Sequence, residues 1–223
     1  NFAETARGMG GVELTAVASR SAQSAEAFGE AYGIPKRYAS YEALAADPEV
    51  DIVYVATPHS RHYADMKLLM EADKHILCEK SFTTDASQAA DVLRMAREKG
   101  VFVMEAFWTK LIPVYREVER LLGEEVIGEV RAVMAQYGYT TGRQTRKFDP
   151  ALAGGTLLDI GVYAIGFACM MLGYSFDDVL SQLILSDEGT DATDAILLRR
   201  GRAVAQLTCG IGFNMPTHGA VYG

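Results

Sequence analysis

With 223 residues and 49% hydrophobic content, the chain can bury one large core or two modest ones, which makes it globular. Its 21 Lys and Arg against 29 Asp and Glu leave a formal net charge of -8 without any basic run, which argues against a nucleic-acid partner. Cys78, Cys169 and Cys209 are odd in number and widely spaced, so they support neither a disulfide framework nor a Cys-x-x-Cys metal site and fit a reducing cytoplasm.

The longest apolar run, Ile160 to Leu172, is broken by glycines and too short to span a bilayer. No signal-like segment opens the chain, so a soluble protein without a membrane partner is expected. The opening N-F-A-E-T-A-R-G reads as the last turns of a helix, and the closing A-V-Y-G interrupts strand-like sequence. A fragment lacking material at both ends is therefore expected.

In chain order, Val12 to Ser19 has the look of a strand, and Ala22 to Tyr32 carries apolar residues at helical spacing up to Gly33. After Tyr38, a helix from about Tyr41 to Ala46 ends at Asp47-Pro48. Asp51 to Ala56 is a nearly continuous β-branched run, as in a parallel strand covered on both faces. A helix at His62 to Ala72, a strand at His75 to Cys78, a helix at Ala86 to Lys99 closed by Gly100 and a strand at Val101 to Met104 follow. This alternation predicts a parallel sheet with crossover helices.

The rhythm changes after Trp108. A helix at Val114 to Leu122 leads to a strand at Glu129 to Tyr139, a polar loop and an apolar helix near Leu157 to Leu172. Strands near Val179 to Leu185, Ala195 to Arg199 and Ala203 to Gly210 complete an antiparallel or mixed sheet. The fold class is thus α/β: a Rossmann-type domain over residues 1–107, then an α+β domain with an open, mostly antiparallel sheet over residues 108–223.

Ligands of open parallel sheets sit outside the carboxyl ends of the strands. Those ends supply Ser19 and Arg20, then Thr57, Pro58 and His59, then Glu79 and Lys80, then Glu105. In a dinucleotide fold an Arg at the end of the second strand accommodates a 2′-phosphate, so Arg20 points to NADP; a solvated Arg opening a helix is the plainer alternative. No G-x-G-x-x-G occurs, and Gly8 to Gly11 lies between helix and strand, so a phosphate loop is expected upstream of Asn1. His59 and His62 stand three apart with no third metal ligand evident nearby, and no metal is expected.

The ordered motifs A-S-R (Ala18 to Arg20), A-T-P-H-S-R-H (Ala56 to His62), C-E-K (Cys78 to Lys80), M-E-A-F-W (Met104 to Trp108) and G-G-T-L-L-D-I-G-V-Y (Gly154 to Tyr163) resemble the Gfo/Idh/MocA oxidoreductase family. Within it they are most similar to the NADP-dependent branch that includes dihydrodiol and D-xylose dehydrogenases. The likeness runs through essentially the whole chain. It implies a Rossmann domain followed by a domain whose open sheet commonly forms a dimer interface, and hence a homodimer or higher homo-oligomer.

By the same resemblance the family's E-K-P lysine falls on Lys80, and its D-x-G-x-H/Y pair falls on Asp159 and Tyr163. These two lie four residues apart and so can share a helical face. A phenol with an ordinary pKa of about 10 is a weak base at neutral pH, but a neighbouring ammonium favours the phenolate. Tyr163 with Lys80 then forms an acid/base pair that Asp159 orients; the alternative for Tyr163 is a core tyrosine on an all-apolar helix.

Ser81 departs from the family's proline, which leaves the aim of Lys80 open. The resemblance also implies cofactor contacts from Ser19, Thr57, Pro58 and His62, with Glu79 beside Lys80 or neutralising it. Trp108, the single tryptophan, either stacks on a ligand or packs a hinge. Arg143, Arg146 and Lys147 read as a solvated basic loop. The function implied is NADP-dependent hydride transfer to or from a hydroxyl or carbonyl carbon of a sugar, polyol or cyclic diol. A nucleotide-sensing regulator on the same fold is the competing class.

Overall fold

The computed structural model describes residues 2–141 and 145–223. Arg143 lies outside the described residues. The chain divides into two units, one of Asn1–Thr57, His62–Glu79 and Asp85–Met104, the other of Pro58–Arg61, Lys80–Thr84 and Glu105–Gly223.

Through the first half, strands and helices alternate: α1 (Phe2–Arg7), β1 (Ala16–Ala18), α2 (Ala22–Tyr32), β2 (Lys36–Tyr38), α3 (Tyr41–Ala45), β3 (Ile52–Val55), α4 (His59–Glu71), β4 (His75–Cys78), α5 (Ala86–Lys99) and β5 (Val103–Glu105). Local chemistry sets the helix ends. Ser21 Oγ accepts from the Ser24 amide and Asp85 from the Gln88 amide, while Gly33 and Gly100 close their helices at φ 66° and 68°.

β1 pairs parallel with β2, and β3 parallel with β4, which β5 joins. The parallel strands therefore form two sheets, one of two strands and one of three. The strand expected over Val12 to Ser19 contracts to Ala16–Ala18, the residues that find partners in Lys36–Tyr38. β2 has no apolar run to announce it. It is held instead by side chains, since Lys36 and Tyr38 both donate to the buried carboxylate of Asp47. Val55, Met66, Met70, Ile76, Cys78 and Val92 form the buried core of this unit.

The second unit contains a short 3-10 turn at Trp108–Leu111, α6 (Pro113–Gly123), β6 (Ala132–Gly138), a π turn at Leu157–Gly161 running into α7 (Val162–Leu172), then β7 (Asp178–Leu185), β8 (Asp191–Arg200), β9 (Ala203–Gly210) and β10 (Met215–Tyr222). The sheet order is β10-β6-β9-β8-β7, with β6 and β9 parallel and the remaining pairs antiparallel. The sheet is thus mixed and mostly antiparallel.

Alternation sorts its side chains onto two faces. Val133, Ala205, Leu207, Ile196 and Leu198 belong to a core shared with Ile160, Ala164, Ala168 and Met171 of the helical segment. The helical stretch Pro150–Leu172 is longer than the apolar run visible in the sequence and is long and apolar enough to cross a bilayer by length and composition. Its buried residues belong to this core, which makes it the covering helix of the sheet. The opposite face leaves Leu180, Leu197, Met134 and Val204 between 41% and 63% exposed.

Candidate active site

β4 is a four-residue apolar strand whose last residue, Cys78, is fully buried, and the chain leaves it through Glu79, Lys80 and Ser81. The Lys80 side chain is only 14% exposed and needs partners for its charge. Its Nζ donates to the Asp159 carbonyl at 2.5 Å and lies 3.7 Å from Asp159 Oδ1. Ser81 Oγ donates to the Leu158 carbonyl at 2.8 Å, so the two adjacent side chains engage successive carbonyls of the π turn. The Lys80–Ser81 peptide bond is cis.

The turn that receives them is shaped by its two glycines. A Cβ on Gly154 would collide with the backbone of Arg146 and Lys147, and one on Gly155, at φ 122°, would collide with the Asp191 carboxylate. Five residues of π helix follow, and then α7. Among folds this is an uncommon start for a helix, and such π turns are frequent at functional sites. Asp159 and Tyr163, four apart across the π-to-α junction, both reach Lys80: its Nζ stands over the Tyr163 ring, 5.1 Å from the centroid.

Tyr163 sits among aromatic side chains. Phe107, Trp108 and Tyr137 place their ring centroids 5.9, 6.0 and 6.2 Å away, and Trp108 Nε1–H donates to the Tyr163 hydroxyl at 3.2 Å. Trp108 itself is 56% exposed. It is thus bonded to Tyr163 while more than half open to solvent.

Two further residues complete the cluster. Tyr139, just past the end of β6, donates to Asp159 Oδ2 at 2.5 Å, and Lys147 Nζ lies 3.0 Å from the same oxygen and also donates to the Tyr139 hydroxyl. Lys147 is therefore a site residue and not the solvated loop charge that its neighbourhood in the sequence implies. Asp159, 5% exposed, is a carboxylate held between two ammonium groups. Burial pushes its pKa up, but the hydrogen bonds from Tyr139 and Lys147 and the charges of Lys80 and Lys147 outweigh that and hold it below the usual carboxylate range. Burial and the bond to Asp159 push the Tyr139 hydroxyl up, so Tyr139 keeps its proton and serves as a donor.

This arrangement holds a fixed cation over the ring of a phenol, with a charged carboxylate keeping the cations in place. Sequence reasoning reached Lys80, Asp159, Tyr163 and Trp108, and the structure brings these four together. It did not reach Tyr139, although a tyrosine just beyond the carboxyl end of a strand was a readable signal.

The remaining predicted residues are in other surroundings. Ser19 and the exposed Arg20 follow β1, and Arg20 pairs with no acid among the described residues. Thr57 Oγ1 donates to buried Asp65 at 2.8 Å. His62 is fully buried with Nε2 2.8 Å from the Thr57 carbonyl, so its ring braces the turn after β3. Pro58 precedes α4, whose first residue, His59, contacts the Ala153 carbonyl through Nδ1 at 3.1 Å. Glu79 accepts from the Tyr54 hydroxyl. Among the described residues no group of three or more His, Cys, Asp or Glu side chains is placed to hold a metal ion.

A unit of parallel strands and helices is followed by a mixed-sheet unit that gathers an ammonium, a phenol and a buried carboxylate. Comparison with known proteins says to which family such a chain belongs. Residues 1–107 match the oxidoreductase family with NAD-binding Rossmann fold of the Gfo/Idh/MocA group, and residues 115–223 match the Gfo/Idh/MocA C-terminal domain. The chain belongs to the Gfo/Idh/MocA family of oxidoreductases.

It is 35% identical over 213 residues to the trans-1,2-dihydrobenzene-1,2-diol dehydrogenases of Xenopus tropicalis and Mus musculus, covering 95% of this chain and 64% of each relative. The chain thus spans a little under two thirds of the length of these curated relatives. A 3-ketoreductase from Actinomadura kijaniata, solved with NADP and TDP-benzene, superposes with a TM-score of 0.91 at 33% identity over 99% of this chain and 69% of that one. An aldose-aldose oxidoreductase from Caulobacter crescentus, solved with glycerol, gives 0.85 at 25% identity over 95% of this chain and 66% of that one.

Proposed function

We propose that the whole protein is an NADP-dependent dehydrogenase or reductase acting on a hydroxyl or carbonyl carbon of a sugar or cyclic diol. The observation that carries this reading is the meeting of Lys80, Tyr163 and Asp159 in one cluster, because a nucleotide sensor needs only the nucleotide contacts. The relatives act in the same sense: those named are a diol dehydrogenase, a ketoreductase solved with NADP and an aldose oxidoreductase.

The donor set after β1 suits the cofactor. Arg20 is exposed and unpaired among the described residues, beside the hydroxyl of Ser19, and a guanidinium there fits the 2′-phosphate. Thr57 and Pro58 would carry the backbone past the cofactor, with His62 bracing them from behind and Glu79 following β4. When bound, NADP supplies the hydride donor or acceptor.

The chain's own residues manage the proton. As phenolate, Tyr163 takes it from the substrate hydroxyl in the oxidative direction, and as phenol it returns it in the reductive one. Lys80, over the ring, stabilises negative charge as the phenol gives up its proton. Asp159 fixes Lys80 and Lys147 and is itself fixed by Tyr139. Trp108, half open and anchored to Tyr163, offers a flat apolar wall to the substrate.

The cofactor assignment is tested by Arg20→Asp in the whole protein. It should weaken NADPH binding at least tenfold while leaving NADH within about threefold, as read by nicotinamide fluorescence. Equal weakening of both would refute the 2′-phosphate role.

The exposed apolar stripe of Leu180, Leu197, Met134 and Val204 supports assembly of two copies through this sheet, since an antiparallel sheet with one uncovered apolar face calls for a covering partner. Sedimentation at micromolar concentration should give a dimer that Leu180→Lys with Leu197→Lys dissociates. A wild-type monomer would contradict it.

A further inference from the structure

The π turn that carries Asp159 begins beside a pair of acids the proposed chemistry does not use. Asp191, the first residue of β8, accepts the Leu157 amide on Oδ2 at 2.5 Å, and its other oxygen fills the space that Gly155 leaves by having no side chain. Leu157 N–H belongs to the first turn of the helical segment, where amides have no intrahelical acceptor. The loop entering the turn is held at a second point, since the Gly155 amide donates to the Lys147 carbonyl at 2.7 Å. Asp191 thus decides where the segment starts, and the segment decides where Asp159 and Tyr163 stand.

Behind it, Asp194 is 4% exposed on the same strand, opposite Cys209 of β9, and its Oδ2 has no hydrogen-bond partner. Burial, followed by the charge and hydrogen bond of Asp191, raises its pKa to about 7. A proton held on this carboxyl removes the repulsion that two bare carboxylates would suffer.

We propose that Asp191 is a positioning residue of this site: its carboxylate holds the Leu157 amide and so sets Asp159 and Tyr163 against Lys80. The proposal rests on the proton-transfer reading given above, and its test separates the two.

In the whole protein, Asp191→Ala should lower kcat by roughly 10- to 100-fold, in the range that small misplacements of a reacting group produce, with KM and the NADPH Kd within about threefold. D-xylose and trans-1,2-dihydrobenzene-1,2-diol are the two compounds offered for turnover. Asp191→Asn keeps an acceptor for the amide and should return kcat to within about threefold of wild type. Trp108, the single tryptophan of these 223 residues and bonded to the Tyr163 hydroxyl, reports the geometry without turnover, its emission taken as the difference from a Trp108→Phe whole protein. Its emission should move in Asp191→Ala in the same direction as in Tyr163→Phe and stay at the wild-type value in Asp191→Asn.

If Asp191→Ala does not fold, Asp191→Ser, too short to reach Leu157, takes its place with the same expected losses. Equal losses in the alanine and asparagine variants, or a folded alanine variant with wild-type emission, would overturn the proposal. A wild-type protein without turnover removes the enzymatic reading alone, and the emission series still decides whether Asp191 positions Tyr163.

Discussion

Lys80→Ala in the whole protein should lower turnover about a thousandfold while NADPH still binds, and Tyr163→Phe should do the same within a factor of about ten. Lys80 Nζ engages the Asp159 carbonyl and stands over the Tyr163 ring. Removing the ammonium takes away the charge that favours the phenolate, and removing the hydroxyl takes away the group that holds the proton. Lys80→Met separates charge from bulk: it keeps the aliphatic stem and should be nearly as impaired as the alanine variant. Because the two residues act as a unit, the double variant should lose little more than either alone. Steady-state kinetics beside NADPH titration checks all four proteins, and wild-type turnover in both single variants would remove the proton role from this cluster.

Asp159→Ala should cost stability as well as activity, by about 3 kcal/mol. It removes a buried carboxylate that answers both Lys80 and Lys147, and stranding a buried charge by deleting its partner costs about 3 to 5 kcal/mol. The lower end applies because the two lysine side chains are 14% and 25% exposed and retain some hydration.

The pH dependence follows from the direction of the shift. Asp159 is held below its unfolded pKa, so between the two values the unfolded chain binds more protons and stability rises with pH. The contribution is complete above the unfolded carboxylate value, about 4, and is lost as pH falls through the lower folded one. Wild type should therefore shed part of its advantage over Asp159→Ala on acidification below about pH 4. Chemical denaturation at pH 7 and pH 3 measures this, and an advantage that grows on acidification would contradict the ion-pair account.

How much of this could be read from the residues depends on the range over which each feature is determined. α5 was legible to the residue, because Asp85 and Gly100 cap it through contacts within its own ends. β4 was equally clear, a four-residue apolar run. β2 was not, because Lys36-Arg37-Tyr38 has no apolar run and is secured by Asp47, nine to eleven residues later. The division of the parallel strands into two sheets is also a matter of pairing between distant segments, which periodicity does not encode.

The site follows the same rule. Lys80, Asp159 and Tyr163 could be named from motifs in order. Tyr139 and Lys147 reach Asp159 across 20 and 12 residues, through a strand end and a loop whose charges look solvated in one dimension. Asp191 is further still, 34 residues from the amide it holds. The π turn was invisible for a different reason: L-L-D-I-G continues the helical pattern, and only the carbonyls taken by Lys80 and Ser81 reveal the wider turn.

The central claim is that the Lys80–Tyr163–Asp159 cluster moves the proton of an NADP-linked oxidation or reduction. Its most direct test is nicotinamide absorbance, followed over a panel of sugars and cyclic diols with the whole wild-type protein and its Tyr163→Phe variant side by side. Turnover with NADP in wild type, lost in the variant while NADPH binding persists, is the predicted result. Tight NADPH binding without turnover on any member of the panel would contradict it and leave a nucleotide-sensing protein in its place.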